Sequence, residues 1–296
     1  MTRCLIAGCG YVGSALAALL RDAGHDVHGL KRRPVGLPEG VAPLAADLAD
    51  AKSLDAALAT LPGSPDVVVY AAAADGGDDE AYRRAYVAGL RNVVAALHAR
   101  DATPACLLFT SSTAVYAQDD GSRVDETSPT EPHEFRGTRM LEAEAVVASC
   151  GWPAASLRLG GIYGPGRTRL IDGVRSGRAV IRPGPPRYGN RIHRDDAAGA
   201  LAHLIASALA GHALAPRYLG VDDEPSDEAA VLRWLASALG VAKPPVRAER
   251  GVRARSGGRS ASNKRCSNAL LRASGYAFRY PTFRDGYAAL IAATSR

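Results

Sequence analysis

The sequence contains few aromatic residues and no long apolar run. Phe, Trp and Tyr make up 6% of its 296 residues, and no apolar stretch approaches the roughly 18 to 20 residues that a membrane-spanning helix needs. The N-terminus opens directly on a strand pattern and not on a basic, apolar signal segment. We therefore expect a cytoplasmic protein without a membrane partner.

Cysteine is scarce as well. The five cysteines are odd in number, and no two of them have the C-x-x-C spacing of a redox or zinc site. Three of them, Cys4, Cys9 and Cys106, stand in or beside apolar runs. These features argue against a disulfide framework and predict buried, reduced thiols and no bound metal.

Acidic residues are nearly absent from one part of the chain. Between Lys243 and Arg272, nine Lys or Arg and one acid, Glu249, give a local charge of +8. The Gly/Ser-rich stretch within it, 248–265, has no aromatic residue on which a base could stack, so we expect no nucleic-acid partner. We predict instead a mobile loop that selects anionic ligands, with Lys264 and Arg265 on the substrate side.

Short apolar runs alternate with amphipathic helical patterns, most regularly in the first half of the chain. This βαβ alternation predicts an α/β fold whose parallel sheet is covered by helices on both faces. Strands are predicted at 3–7, 26–30, 66–72, 105–111 and 154–159, and helices at 11–23, 53–61, 79–100, 139–149, 195–210, 227–239, 268–274 and 283–293.

A glycine-rich turn follows the first predicted strand. Gly8, Gly10 and Gly13 form G-x-G-x-x-G at the start of a helix that continues with Tyr11 and Val12. Gly8 permits the tight turn, Gly10 lets the backbone approach a pyrophosphate, and Gly13 lets the helix pack on the strand. The motif predicts a dinucleotide-binding site at the helix N-terminus.

The second predicted strand ends without an acid. A carboxylate at this point would hold the ribose 2′-hydroxyl of NAD, but Lys31, Arg32 and Arg33 stand there. Guanidinium groups match the 2′-phosphate of NADP in charge and geometry, so we expect NADP(H) in preference to NAD(H). The alternative is a solvated basic turn.

Further motifs occur in the same order as in the extended short-chain dehydrogenase/reductase family of epimerases and dehydratases, and the chain resembles that family. The resemblance implies a doubly wound Rossmann fold with a small C-terminal substrate-binding region. It also implies nucleotide contacts beyond the glycine turn, from an adenine-contacting acid and the ends of the fourth and fifth strands. The matching positions are Asp47, then Ala71, Ala72 and Ala73, then Thr110 and Ser111, and the loops 157–167 and 190–196.

The catalytic positions depart from that family. Ser112 matches the serine that binds the substrate oxygen, but Arg136 stands at the family's acid/base tyrosine and Met140 at its lysine. Tyr86 replaces a supporting asparagine. Met140 carries no charge and an arginine is a poor proton donor. The chain therefore resembles an atypical branch that keeps the dinucleotide fold without the Y-x-x-x-K pair.

Several side chains are candidates for the missing chemistry. Tyr116 follows Ser112 by four residues, although this position in the family usually supports the loop. His133, beside Glu134, could exchange protons near neutral pH or simply be solvated. The remaining candidates either face the substrate or have packing and surface ion-pair roles, and they are Tyr163, His193, Arg136 and Arg139.

These features favour the interpretation that the protein is an NADP(H)-dependent oxidoreductase with a non-standard proton relay. Its partner would be a small, anionic carbonyl, alcohol or imine-like substrate, and the sequence allows a homodimer. The alternatives are a non-catalytic NADP(H)-sensing regulator and an epimerase or dehydratase that recycles its cofactor. We expect 1–160 to form the NADP-binding core and 161–296 mainly the substrate-binding region, interleaved with the core around 190–220.

Overall fold

This computed structural model describes residues 1–247 and 262–294. Within these ranges the chain forms two compact units. The first comprises Met1–Val115, Glu131–Arg158 and Ala197–Tyr218, and the second comprises Tyr116–Thr130, Leu159–Asp196 and the described part of Leu219–Arg296. Most of the basic stretch 248–265 lies outside the described residues, so its role as a mobile loop stays a prediction.

Thirteen strands are present in the described ranges. They are β1 (Arg3–Ala7), β2 (Asp26–Lys31), β3 (Ala42–Ala45), β4 (Val67–Tyr70), β5 (Cys106–Ser112), β6 (Arg123–Val124), β7 (Ala154–Leu159), β8 (Gly161–Tyr163), β9 (Tyr188–Gly189), β10 (Arg191–His193), β11 (Arg217–Gly220), β12 (Ser226–Asp227) and β13 (Arg265–Cys266).

Ten α-helices accompany the strands in the same ranges. They are α1 (Tyr11–Asp22), α2 (Ala51–Leu58), α3 (Asp79–Tyr82), α4 (Gly89–His98), α5 (Phe135–Ala148), α6 (Arg169–Arg175), α7 (Arg194–Leu209), α8 (Glu228–Ala238), α9 (Ala269–Ala273) and α10 (Phe283–Thr294). A π-helical segment, Arg83–Ala88, joins α3 to α4, and a 3₁₀ turn, Thr113–Val115, follows β5.

Seven strands form the central sheet, in the order β11-β7-β5-β4-β1-β2-β3. The pairings among β1, β2, β3, β4 and β5 are parallel. The strand order reverses at β1, because the chain goes first to β2 and β3 on one side and then returns to β4 on the other. Open α/β sheets bind ligands at such a switch point, outside the carboxyl ends of the strands. The predicted Rossmann-type α/β fold is confirmed.

Burial explains why these segments form the sheet. The Val-rich strand β4 is buried at all four of its positions, as expected for a parallel strand with helices on both faces. The helix α1 buries one apolar stripe, Val12, Leu16, Ala17 and Leu20, at helical spacing. Packing of this stripe against the sheet fixes the helix that begins at the glycine turn.

The second unit contains three short strand pairs and an apolar cluster. The strands β8 and β10 pair in parallel, as do β6 and β13, and β9 pairs with β12 in antiparallel orientation. The cluster contains Tyr163, Phe283 and Tyr287 together with residues of α6 and α8. That this unit binds substrate stays a prediction.

All five cysteines are buried and unpaired, as predicted. No helix in the described ranges is long and apolar enough to cross a membrane. Among the same residues there is no group of three or more His, Cys, Asp or Glu side chains arranged to hold a metal ion.

Candidate cofactor and active site

The turn between β1 and α1 is held tightly against the neighbouring strands. Gly8 and Cys9 both donate their backbone N–H to the Leu30 carbonyl, at 2.9 and 3.0 Å. Gly8 has a φ of +92°, and a Cβ on it would lie 2.2 Å from the Ala72 nitrogen. Only glycine fits there, because both the backbone angle and the close approach of Ala72 exclude a side chain.

Gly10 and Gly13 differ in what surrounds them. A Cβ on Gly13 would lie 2.7 Å from the Gly8 oxygen and 3.2 Å from the Ile6 Cγ2, so the protein's own packing requires this glycine. A Cβ on Gly10 would meet only the Gly8 oxygen, at 3.9 Å. The space above Gly10 is therefore open to a ligand.

The start of α1 is suited to an anion. Gly10 is its N-cap and supplies no side-chain hydrogen bond to the first turn, which begins with Tyr11 and Val12. Backbone N–H groups and the helix dipole at such an end favour negative charge. The uncapped turn, together with the open face of Gly10, fits a dinucleotide pyrophosphate.

The small residues after β4 form the other side of this turn. Ala71 donates its N–H to the Ala7 carbonyl at 2.8 Å, and the backbone of Ala72 packs against Gly8. Ala73 is exposed. The backbone after β4 thus lies directly against the glycine turn after β1, at the point where the strand order reverses.

The basic end of β2 is exposed. Lys31, Arg32 and Arg33 line a surface cleft of about 320 Å³. Arg32 donates from Nη2 to the Asp75 carboxylate at 2.6 Å, and this hydrogen bond raises the arginine's pKa above its ordinary value. A carboxylate from the loop after β4 thus lies beside the basic end of β2. Asp75 carries no local signal in the sequence, because its partner stands 43 residues earlier in the chain.

Asp47, the expected adenine-contacting acid, is half-buried and well supported. Its Oδ1 accepts from the Ala49 N–H at 2.9 Å, and its Oδ2 pairs with Arg84 Nη2 at 2.6 Å. Burial alone would raise the pKa of this carboxyl, but the hydrogen bonds and the Arg84 charge outweigh burial and lower it. The carboxylate therefore stays ionised.

Tyr86 lies in the π-helical segment. Its hydroxyl accepts a long hydrogen bond from the Ala74 N–H at 3.5 Å, and its ring packs on that of Tyr82, with centroids 5.2 Å apart. Burial raises the pKa of its phenol, so the proton stays on at neutral pH. The residue at the family's asparagine position thus reaches the loop that follows β4.

The end of β5 points its hydroxyls in different directions. Thr110 Oγ1 donates to the Tyr70 carbonyl at 3.3 Å. Ser111 Oγ donates to Glu144 at 2.6 Å, and Glu144 forms a buried bidentate pair with Arg158. The Ser111 hydroxyl is therefore part of a buried network, and a contact of this residue with the cofactor stays a prediction.

Ser112 accepts a hydrogen bond at its Oγ from the Ala114 N–H, at 3.1 Å. The acceptor role leaves the hydroxyl proton available for donation. The side chain is half-buried at the carboxyl end of β5. Its position and chemistry suit binding of a substrate oxygen.

The start of α5 carries Arg136 and Met140, which stand at the family's tyrosine and lysine positions. Arg136 donates from Nη2 to the Gly77 carbonyl at 2.8 Å, and its guanidinium lies over the rings of Phe135 and Tyr82, at 4.8 and 5.6 Å. Met140 is buried. The Glu134 carboxylate lies 3.6 Å from the Nη1 of Arg136, so the arginine is held by a carbonyl, an acid and two rings. An apolar side chain stands one turn later.

Two other candidates near this helix are arranged differently. Arg139 forms a bidentate pair with Asp79, with both N–O distances 2.8 Å, and a further bond to Glu142 at 2.7 Å. Its guanidinium is committed to these carboxylates, so the geometry favours the surface ion-pair role over an anion clamp. His133 is exposed in the loop before α5.

Tyr116 belongs to the second unit. Its hydroxyl donates to the Asp125 carbonyl at 2.7 Å and its side chain is buried. Lys264 is also buried and donates from Nζ to the Tyr116 carbonyl at 2.7 Å, while burial lowers its pKa. Arg265 donates to the Gly121 carbonyl and lies over the Tyr188 ring. These contacts tie 264–265 to the loop after Tyr116 and favour the structural reading of that tyrosine.

Tyr163 and His193 lie side by side in the interior of the second unit, with ring centroids 5.4 Å apart. Desolvation lowers the pKa of His193 to about 4, so the imidazole is neutral at pH 7. Asp222 is 2% exposed, and burial raises its pKa to about 8. The hydroxyl of Tyr163 and the Oδ2 of Asp222 are buried without a hydrogen-bond partner among the described residues.

Comparison with known proteins agrees with this fold. Residues 4–208 match the model of the NAD dependent epimerase/dehydratase family. A 3-diazoavenalumate denitrifying reductase from a Streptomyces species is 31% identical over 96% of this chain and 98% of its own. A UDP-glucose 4-epimerase from Corynebacterium glutamicum is 33% identical over 56% and 54% of the two chains.

Among solved structures, a protein from Methylobacillus flagellatus described as an NAD-dependent epimerase/dehydratase is 36% identical. The match covers 100% of this chain and 99% of the other, with a TM-score of 0.82. Because the family model matches more than half of the chain and the similarity extends over nearly all of it, the chain belongs to the NAD-dependent epimerase/dehydratase family of short-chain dehydrogenases/reductases.

Proposed function

We propose that this protein is an NADP(H)-dependent reductase of a small anionic substrate. The observation that carries the proposal is the cradle at the switch point, where the open face of Gly10 adjoins an uncapped helix start. The family binds a nicotinamide cofactor, and the residues present fit its pyrophosphate at Gly8, Gly10 and Gly13. When bound, the nicotinamide supplies or accepts a hydride.

The basic end of β2 supports the choice of NADP(H). Arg32 and Arg33 line an exposed cleft with Lys31, and a guanidinium can form two parallel hydrogen bonds to a phosphate. One charge-assisted contact of this kind is worth about 1.5 to 3 kcal/mol, a preference of roughly 10- to 150-fold. We propose that Arg32 or Arg33 holds the 2′-phosphate.

The residues present in place of the family's tyrosine and lysine limit which substrates the protein can reduce. Ser112 can donate its hydroxyl proton to a substrate oxygen or nitrogen. Arg136 can stabilise negative charge on the substrate but cannot deliver a proton at neutral pH. The chain therefore suits an acceptor that is anionic or gains negative charge, and whose proton comes from water or from Tyr86.

One relative is named for a reaction of this kind. The Streptomyces reductase acts, by its name, on a diazo compound with loss of nitrogen. Reduction of a neutral diazo group takes up one hydride and one proton as N2 leaves. That proton does not go to a carbonyl oxygen, so it can come from water and does not require the tyrosine of Y-x-x-x-K. We propose that this protein likewise reduces an activated carbonyl, imine-like or diazo group on a molecule that carries a carboxylate or phosphate.

A deuterium-transfer experiment tests the proposal. The purified protein is incubated with NADPH that carries deuterium at C4 and with a panel of anionic carbonyl, imine and diazo compounds, and mass spectrometry follows the label. We expect the label in one product class, and less of it with the Arg136→Gln variant. An Arg91→Gln variant, altered on the outer side of α4, serves as a matched control.

Other results would favour the alternatives. Tight NADPH binding without label transfer to any acceptor would support the nucleotide-sensing regulator, a reading that the loss of the tyrosine and lysine favours. Isomerisation of a substrate without net loss of NADPH would support an epimerase or dehydratase that recycles its cofactor. The five buried thiols fit a reducing compartment, and we propose that the protein works in the cytoplasm.

A further inference from the structure

Two acid–arginine pairs lie along the edge of the sheet that would receive the adenosine half of the cofactor. Arg32, just after β2, pairs with Asp75, which follows β4. Asp47, just after β3, pairs with Arg84 of the π-helical segment. Both N–O distances are 2.6 Å. The basic strand end is therefore not free of acids. Asp75 is brought to Arg32 from a distant part of the chain, and the charge of Asp47 acts on the same guanidinium from farther away.

Asp75 differs from Asp47 in its surroundings. The Asp47 side chain is 32% exposed and also accepts from the Ala49 N–H, so it is fixed in a supporting role. The Asp75 side chain is 69% exposed, and the Arg32 side chain is 58% exposed. The Arg32–Asp75 pair lies in water, where such pairs form and break with little change in free energy.

A 2′-phosphate and Asp75 would compete for the same guanidinium. The phosphate carries between one and two negative charges at neutral pH. To reach Arg32 it must either displace Asp75 or lie close to its carboxylate, and like charges at such distances repel. The 2′-hydroxyl of NAD carries no charge, so Asp75 does not penalise it in the same way.

We infer that Asp75 is a specificity-determining residue that opposes the 2′-phosphate at Arg32 and so narrows the preference for NADP(H) over NAD(H). This inference rests on the proposed function, because it needs the nucleotide at the switch point and the 2′-phosphate at the end of β2. The protein would then accept both nucleotides, with a ratio set by the Arg32–Asp75 pair.

The test is a calorimetric titration of the full-length protein with NADPH and with NADH. Asp75→Asn keeps the side-chain shape and removes the charge, and the position is exposed, so the variant should fold. We expect NADPH to bind about tenfold more tightly, which corresponds to about 1.4 kcal/mol, and the Kd for NADH to change by less than about twofold. Because salt screens exposed charges, the gain should shrink at high ionic strength.

Two further variants separate the possible explanations. Glu80→Gln removes a carboxylate from an exposed pair with Arg83 in the neighbouring helix, and it should leave both affinities unchanged. In an Arg32→Ala background, Asp75→Asn should lose most of its effect on NADPH binding, because the guanidinium for which the 2′-phosphate and the Asp75 carboxylate compete is gone.

The outcomes distinguish this inference from the proposed function. If the wild-type protein binds NADPH and Asp75→Asn leaves the NADPH-to-NADH ratio unchanged, Asp75 does not determine specificity while the proposed cofactor stands. If NADH binding tightens as much as NADPH binding, the carboxylate acts on the shared part of the nucleotide and the inference is wrong. If the wild type binds neither nucleotide, the proposed function itself fails.

Discussion

Replacement of Gly10 by alanine should abolish most nucleotide binding while leaving the fold intact. The added methyl group would lie 3.9 Å from the nearest protein atom, the Gly8 oxygen, so it meets no steric conflict within the protein. The methyl group would instead occupy the face that the pyrophosphate must approach.

The size of the effect follows from the hydrogen bonds that would be lost. A backbone N–H that binds a charged oxygen contributes about 1.5 to 3 kcal/mol, so loss of one such bond should raise the Kd by roughly 10- to 150-fold. Stability should change by less than about 1 kcal/mol, as for a substitution without a clash. Calorimetric titration with NADPH and thermal unfolding of the same sample measure both quantities.

Gly13→Ala is the matched control, because it adds the same methyl group three residues later. Here the methyl group would lie 2.7 Å from the Gly8 oxygen, and overpacking of this kind costs about 1 to 3 kcal/mol. Gly13→Ala should therefore lower the melting temperature clearly, and Gly10→Ala should not. Wild-type NADPH affinity in Gly10→Ala would refute the placement of the pyrophosphate at this turn.

Three further substitutions test the chemistry and the interior. Ser112→Ala should lower kcat/KM by about tenfold or more with NADP(H) affinity unchanged, if its hydroxyl binds the substrate as proposed; activity equal to wild type would remove Ser112 from the site. Tyr116→Phe should keep activity but lower stability by about 1 kcal/mol through loss of the bond to Asp125, and a large loss of turnover would instead make Tyr116 catalytic. The gain in stability of Asp222→Asn over the wild type should grow as the pH rises from about 4 towards 8. The reason is that the folded wild-type carboxyl, with its pKa raised to about 8, keeps a proton that the unfolded chain loses near the ordinary pKa, so the wild type loses stability over this range. A difference in melting temperature between Asp222→Asn and the wild type that stays the same across this pH range would contradict the last prediction.

The elements with strong local signals could be predicted from the sequence. The strand β1 and the helix α1 follow from an apolar run, a glycine turn and a helical stripe, all within about twenty residues. The edge strand β3 was not predicted, because Ala42–Ala45 is short and contains Pro43, and proline is a poor strand former except at an edge. Short elements whose pairing depends on a neighbour carry little local signal.

The long helix predicted at 79–100 is a second instructive case. The amphipathic pattern correctly indicates helix, but the structure has α3, a π-helical segment and α4 in its place. Hydrophobic periodicity does not distinguish a π turn from continuous α-helix, since only one residue is added. The inserted turn nevertheless determines where Arg84 and Tyr86 point.

Most contacts in the candidate site could not be read from sequence because they join distant positions. The motif identified Gly8, Gly10 and Gly13, whose spacing carries the signal. The pairing of Arg32 with Asp75, and the engagement of Ser111 by Glu144, depend on which strand ends adjoin. Sequence order alone gives the residues of a site but not the partners that occupy them.

The length of the π-helical segment also determines which side chain, here Tyr86, stands at the family's asparagine position. A π turn holds one more residue than the α-helix that would span the same distance, and here Tyr70, buried beneath it, donates its hydroxyl to the Ala85 carbonyl within it. Deleting a single residue from Arg83–Ala88 would restore α geometry and rotate everything before it by about 100° about the helix axis. Arg84 would then leave Asp47 and Tyr86 would leave Ala74. In this segment a change in chain length of one residue can therefore redirect side chains of the candidate site more than many substitutions would.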